Sequence, residues 1–197
     1  MGEAAPSIMM SPEEYLAFER ASDQKHEYAD GEVFALLGGT NEHSLLGSSI
    51  VRELGIALID RPCYVHTSDM KIKVAPTNRF FYPDASVVCD AQIFGDEVRD
   101  SVLNPTVIVE VLSDSTERYD RGEKFAHYRR VESLQEYVLV SQKEPLVEHY
   151  SRQADGVWLY RALGPGEQLV LPSLGCAIAV DRIYLKVFAS SSDAGQL

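Results

Sequence analysis

Residues 107–112, Val-Ile-Val-Glu-Val-Leu, restrict this chain more than any other stretch. A strand that is apolar on both faces belongs at the centre of a sheet covered on both sides. Its one exception is Glu110. An unpaired ionised carboxylate in such a place costs several kcal/mol or takes up a proton, so Glu110 needs a cation, a metal or an open cleft beside it. A buried ion pair with an arginine meets the same need without any chemistry.

The rest of the pattern predicts what surrounds that strand. Ser11-Pro12-Glu13-Glu14 reads as a capping box opening a helix to about Ala21. Asp30-Gly31 between two strand-like runs predicts a hairpin over 27–37. Asn41 is placed to cap a long helix to about Asp60, with Leu45, Leu46, Ile50, Leu54, Ala57 and Leu58 at three- and four-residue intervals. Strands are expected at 63–65, 69–74, 80–89 and 106–112, with an exposed loop over 90–101. A helix over 120–131, a strand at 136–140, a hairpin of 146–152 with 157–163, a strand at 176–180 and an amphipathic turn over 181–188 complete the order. This is a mixed α+β or α/β domain built on a central mixed sheet, with an N-terminal helix and hairpin and a β-rich C-terminal part. A length of 197 residues fits one domain, here 9–188, between a flexible N-terminus at 1–8 and a flexible tail at 189–197.

Charge and composition narrow the function. The formal net charge of −12 makes the average surface repel nucleic acid. Basic residues do gather in one segment, at Arg118, Arg121, Lys124, Arg129 and Arg130. No run approaches the roughly 18 apolar residues of a membrane span, and the N-terminus lacks a signal-peptide pattern, which places the chain in the cytoplasm. Cys63, Cys89 and Cys176 are an odd number without a C-x-x-C pair and read as small buried apolar residues, while the five scattered histidines form no H-x-x-x-H pair. There is no G-x-x-x-x-G-K-[ST] loop, so no nucleotide cofactor is expected.

Pro83-Asp84 stands at the entry to a strand and reads either as a turn or as a second carboxylate converging on Glu110. Two such groups at a sheet's end can hold a divalent cation through oxygen. Asp84 and Glu110 resemble the PD-(D/E)XK nuclease motif, but the strand lysine is missing: position 112, on the same face as Glu110, is Leu112. Lys124 is the best replacement, since Asp120, Lys124 and Tyr128 fall near one helix face directly after the Glu110 strand. A surface salt bridge of Asp120 with Lys124 is its bland alternative, and Lys71 and Lys73 are rivals on an earlier strand.

These pieces together are similar to the Uma-two family of restriction-endonuclease-like proteins. The matching residues are Glu27 with Asp30-Gly31, His43, Pro83-Asp84, Glu110-Val111-Leu112-Ser113, Ser115-Thr116, Asp120, Lys124, Tyr128 and Glu136-Tyr137, within residues 9–188. Asp114 stands where the family usually has proline, and Val138 where tryptophan often follows the tyrosine. The resemblance implies a restriction-endonuclease-like core, with the lysine moved from strand to helix. It also implies metal-dependent hydrolysis of DNA phosphodiester bonds by a homodimer. On that reading Asp84, Glu110 and the Val111 carbonyl bind Mg²⁺ or Mn²⁺, and Lys124 orients the attacking water. Glu27, His43, Ser113, Thr116, Asp120 and Tyr128 stand around them or touch substrate, and Arg118, Arg121, Arg129 and Arg130 contact backbone phosphates. Glu27 equally suits an edge strand facing solvent, and His43 a helix cap or the surface. A catalytically silent binding or assembly module of the same fold, and a small phosphate-ester hydrolase, are the competing functions.

Overall fold

The computed structural model describes residues 9–188. The flexible ends expected at 1–8 and 189–197 lie outside the described residues. Helix α1 (Pro12–Ala21) opens on the expected capping box, with Ser11 and Glu14 exchanging hydrogen bonds. It packs Tyr15 and Leu16 against Tyr28 and Phe80. The Asp30-Gly31 turn joins β1 (His26–Ala29) to β2 (Glu32–Ala35), with both turn residues at positive φ. Helix α2 (Asn41–Ala57) is capped by Thr40, one residue before the expected Asn41, because the Thr40 hydroxyl accepts the His43 N–H.

The expected single strand over 80–89 is two strands. Pro83 cannot donate to a ladder, and the chain breaks there between β5 (Arg79–Phe81) and β6 (Ala85–Cys89). The two halves belong to different sheets. One has the order β2-β1-β5-β4-β7, with β4 (Lys71–Val74) and β7 (Ser101–Val102). The other has the order β11-β10-β9-β8-β6-β3 and is antiparallel apart from the parallel pair β8 (Val107–Leu112) and β9 (Glu136–Ser141). Strand β3 (Cys63–Thr67) lies at one edge, and the hairpin β10 (Val147–Arg152) and β11 (Trp158–Leu163) at the other. A small third sheet pairs β12 (Gln168–Leu171), which periodicity missed, with β13 (Cys176–Ala179).

Strand β8 is buried along its whole length, as its composition requires. Val107, Val109 and Val111 face a core shared with α2, the β12–β13 pair and α5 (Val180–Ile183). Ile108 and Leu112 face a second core with Tyr128, Leu134, Tyr137 and Leu139. Burying each such aliphatic side chain contributes roughly 1.5–3 kcal/mol, enough to hold β8 at the centre despite its one acid.

The helix expected over 120–131 begins earlier and ends earlier, spanning α3 (Glu117–Tyr119), a π-turn (Asp120–Lys124) and α4 (Phe125–Tyr128). Its early start comes from Ser113, whose hydroxyl accepts the Thr116 N–H and whose carbonyl accepts that of Glu117. The cysteines also depart from expectation. Cys63 and Cys89 face each other across β3 and β6 and form a disulfide, leaving Cys176 as the free thiol.

Candidate active site

At Pro83 the chain passes from one sheet to the other beside the middle of β8. Register places Ala85 opposite Val109, so Asp84, one residue earlier, comes alongside Glu110 and Val111. Asp84 Oδ2 accepts the Val111 N–H at 2.6 Å, and its Oδ1 lies 3.5 Å from His43 Nε2 in the first turn of α2. Glu27 arrives from the other sheet. Its strand, β1, runs between β2 and β5, which overturns the edge-strand alternative. Glu27 Oε1 accepts the Tyr82 N–H at 3.2 Å, a contact sequence reasoning missed because a backbone donor leaves no residue signature.

Lys124 reaches into this junction from the helical segment after β8. Its Nζ lies 2.8 Å from Glu110 Oε1, 3.2 Å from Glu27 Oε1 and 3.8 Å from Asp120 Oδ1. The Lys124 side chain is only 7% exposed, so the surface salt-bridge alternative does not hold. Tyr128 donates to the same Glu110 oxygen at 2.9 Å, which leaves Oε2 free of both groups. The rivals stand elsewhere: Lys71 pairs with Asp100 at 3.1 Å, and Lys73 lies over the Phe80 ring.

Four carboxylates, Glu27, Asp84, Glu110 and Asp120, thus share one lysine and His43. The imbalance sets the electrostatics. Burial pushes Asp84 up, against the pull of His43 and Lys124. It lifts Glu110 well above the usual carboxylate range, reinforced by Asp120, Asp84 and Glu27 and opposed by Lys124. Asp120 rises for the same first reason. Burial works against the charge on Lys124, but Glu110, Glu27 and Asp120 more than offset it and hold the ammonium well above an ordinary lysine. Lys124 therefore stays protonated, while burial and crowding disfavour the charged forms of the acids, a cost that a cation among them would relieve.

The cluster opens on a cleft of about 1310 Å³ whose wall includes Asp84, Glu110, Val111, Lys124, His43 and Gln142. Among the described residues no three His, Cys, Asp or Glu side chains close a ready-made metal cage. The donors nevertheless suit a hard divalent ion. Magnesium is commonly held by one or two carboxylates, keeping several waters and taking phosphate oxygens, and Asp84 and Glu110 offer oxygen and an open side.

Other predicted residues divide by place. Ser113, Thr116 and Asp120 line the cleft, and the Ser113 and Thr116 hydroxyls bond to each other at 2.8 Å. None of the four predicted backbone-contacting arginines lines it. Arg121 is drawn to Glu148 at 2.7 Å and to Glu117 at 3.2 Å, while Arg118, Arg129 and Arg130 are exposed outside. The arginines of the basic segment form no wall of the cleft because the side of the helix that bears Lys124 and Tyr128 turns inward, onto Glu110.

Comparison with known proteins gives the chain a family and its fold a solved counterpart. The Uma2 family, described as "Putative restriction endonuclease", matches residues 12–181. An uncharacterized protein of Synechocystis sp., slr1290, is 38% identical over 181 residues, covering 92% of this chain and 94% of its own. A second from that organism, sll1609, is 35% identical over 159 residues, covering 81% and 90%. The crystal structure of "a putative nuclease belonging to DUF820" from Anabaena variabilis shares the fold, with a TM-score of 0.74 at 16% identity over 91% of this chain and 99% of that one. Among the described residues no helix is long and apolar enough to cross a membrane. With its sequence matched from α1 to α5, the chain belongs to the Uma2 family.

Proposed function

We propose that this chain is a metal-dependent endonuclease that hydrolyses DNA phosphodiester bonds. One observation carries the reading: Lys124 Nζ stands 2.8 Å from Glu110 at the mouth of a cleft that Asp84 also lines. Asp84, Glu110 and the Val111 carbonyl are the proposed holders of Mg²⁺ or Mn²⁺. Such an ion, when bound, supplies Lewis-acid polarisation of the scissile phosphate and a water of lowered pKa.

The chain's own residues do the rest. Lys124 orients the attacking water and offsets charge that develops on the phosphorane. Tyr128 fixes one oxygen of Glu110, so the other faces the cleft. The Val111 N–H and His43 hold Asp84, and Glu27 with Asp120 keeps Lys124 charged and in place. Arg118, Arg129 and Arg130, exposed outside the cleft, meet backbone phosphates farther along the substrate, where lost counterions make binding salt-sensitive. A homodimer, which gathers two such patches against a net charge of −12, is part of the same proposal.

Incubating wild type and Asp84→Ala with plasmid, single-stranded and branched DNA, each with Mg²⁺, Mn²⁺ or EDTA, tests the reading. Metal-dependent cutting that vanishes in the variant is expected. Salt-sensitive binding that the substitution leaves unchanged, with no cutting, points instead to a binding module. Turnover confined to small phosphate esters points to the third alternative.

A further inference from the structure

The five residues Asp120–Lys124 are wound as a π-turn between two short α-helical turns. Such turns are rare, disturb the regular i→i−4 bonding, and persist where outside contacts hold them, often at functional sites. Here the outside contact is a phenol on the neighbouring strand. Tyr137 OH donates to the Asp120 carbonyl at 3.0 Å, with both groups buried. The Tyr137 ring also stacks on Phe125, centroids 5.0 Å apart and planes within 4°, and lies 5.6 Å from the Tyr128 ring. It therefore grips the turn at both ends: the hydroxyl at its first residue and the ring at the residue after its last.

Lys124 is the final residue of that turn, and its position is sensitive to the winding. Relaxation to ordinary α geometry rotates Lys124 about the helix axis relative to Asp120. The ammonium then loses its place between Glu110 at 2.8 Å and Glu27 at 3.2 Å. Register explains how the strand reaches the turn. Tyr137 pairs with Ile108, two residues before Glu110 on the same face of the sheet, so one face of the β8–β9 pair carries both the carboxylate and the phenol that sets its partner.

We infer that Tyr137 is a positioning residue, whose hydroxyl sets the winding of the 120–124 turn and thereby the place of the Lys124 ammonium. Its kinetic consequence rests on the nuclease reading; its structural consequence does not.

The test is Tyr137→Phe, which keeps the ring and removes one hydroxyl. Tyr184→Phe is the control, because it removes another buried phenol that donates to the Ser141 and Leu146 carbonyls, away from the cleft. In metal-free protein at one fixed pH, the Lys124 ammonium resonance in lysine-labelled NMR spectra is expected to move in Tyr137→Phe and stay in Tyr184→Phe. Amide exchange over 120–125 should quicken about tenfold or more against that of α1. Where DNA is cut, kcat should fall roughly 10- to 100-fold with KM within about twofold, the signature of a misplaced group rather than lost binding. Phe125→Leu removes the contact at the other end of the turn and should move the same resonance with the Tyr137 hydroxyl intact. An unmoved Lys124 resonance in Tyr137→Phe overturns the inference, whatever Phe125→Leu does. Absence of DNA cleavage by wild type would remove the nuclease reading alone, since resonance and exchange still decide the role of Tyr137.

Discussion

Strands β8 and β9 lie side by side, parallel and buried throughout, and each carries one glutamate among apolar neighbours. Their fates differ. Glu136, at the start of β9, faces the α2 side of the sheet and is answered locally: Ser173 donates its hydroxyl to Oε2 at 2.7 Å and its N–H to Oε1 at 3.4 Å. His149 Nε2 lies 3.9 Å away, buried and without a hydrogen-bond partner among the described residues. Glu110, near the end of β8, faces the opposite side and meets an ammonium, a phenol and three further carboxylates where two sheets join at a cleft. A buried strand acid alone therefore says little. Surplus acid gathered from several elements beside an opening is what separates a candidate site from a satisfied interior group.

Lys124→Met attacks the contrast hardest. It leaves a crowd of buried acids without their cation, for which removal of one partner from a buried pair costs about 3–5 kcal/mol. A large fall in the denaturant midpoint at pH 8, partly recovered at pH 5 as the acids take up protons, is expected together with loss of DNA cutting. A midpoint equal to wild type at both pH values breaks the electrostatic account.

The other cluster should answer pH with the opposite sign. Burial, with Arg161 nearby, pushes His149 down to about 4. The unfolded chain, with an ordinary histidine near 6.5, then takes up the proton first. Neutral His149 contributes fully above about pH 6.5, and that contribution is lost as pH falls toward 4. The loss amounts to at most about 3 kcal/mol. Raised carboxylates such as Glu110 and Glu136 act in reverse, favouring the fold as pH falls because the folded state takes up their protons first, so only the difference between wild type and His149→Gln isolates the histidine. That difference should shrink between pH 7 and pH 4, and parallel stability curves refute it.

Ser173→Ala sharpens the comparison further, since it strips Glu136 of its hydroxyl donor while leaving the cleft intact. A loss of about 1–3 kcal/mol by chemical denaturation is expected with kcat unchanged. A matching loss of cutting would show that the two clusters are coupled. The smallest effect belongs to Arg130→Ala, outside the cleft: a few-fold weaker DNA binding, a salt slope reduced by about one, and an unaltered cutting rate at saturation.

Much of this arrangement was legible in residues. Glu110 announces itself because an acid inside a doubly apolar strand has no bland surface reading, and the i, i+4, i+8 spacing of Asp120, Lys124 and Tyr128 places them near one helix face. Asp30-Gly31 and Ser11-Pro12 declare a turn and a cap through local chemistry. What escaped depends on tertiary geometry. The exchange of sheets at Pro83 looks like one continuous strand from alternation alone, although the proline is the physical cause of the break. The Cys63–Cys89 bond follows from strand register, which no spacing reveals. The π-turn is invisible because it is imposed by Tyr137 from another strand. The arginine run looked like one surface, yet Glu148 claims Arg121 and the helix directs the others away from the cleft.

The grip on Lys124 has a mechanical side. Its ammonium is pinned by Glu27 from one sheet and Glu110 from the other, so it acts as a rivet between two layers that otherwise hold together through an apolar core, Ile72, Phe81 and Val102 of one against Ile108, Leu112 and Leu139 of the other. Any substitution that lets those layers slide by an ångström, however remote, pulls the rivet before it disturbs either sheet. Loss of function should thus precede loss of fold when this protein is damaged from a distance.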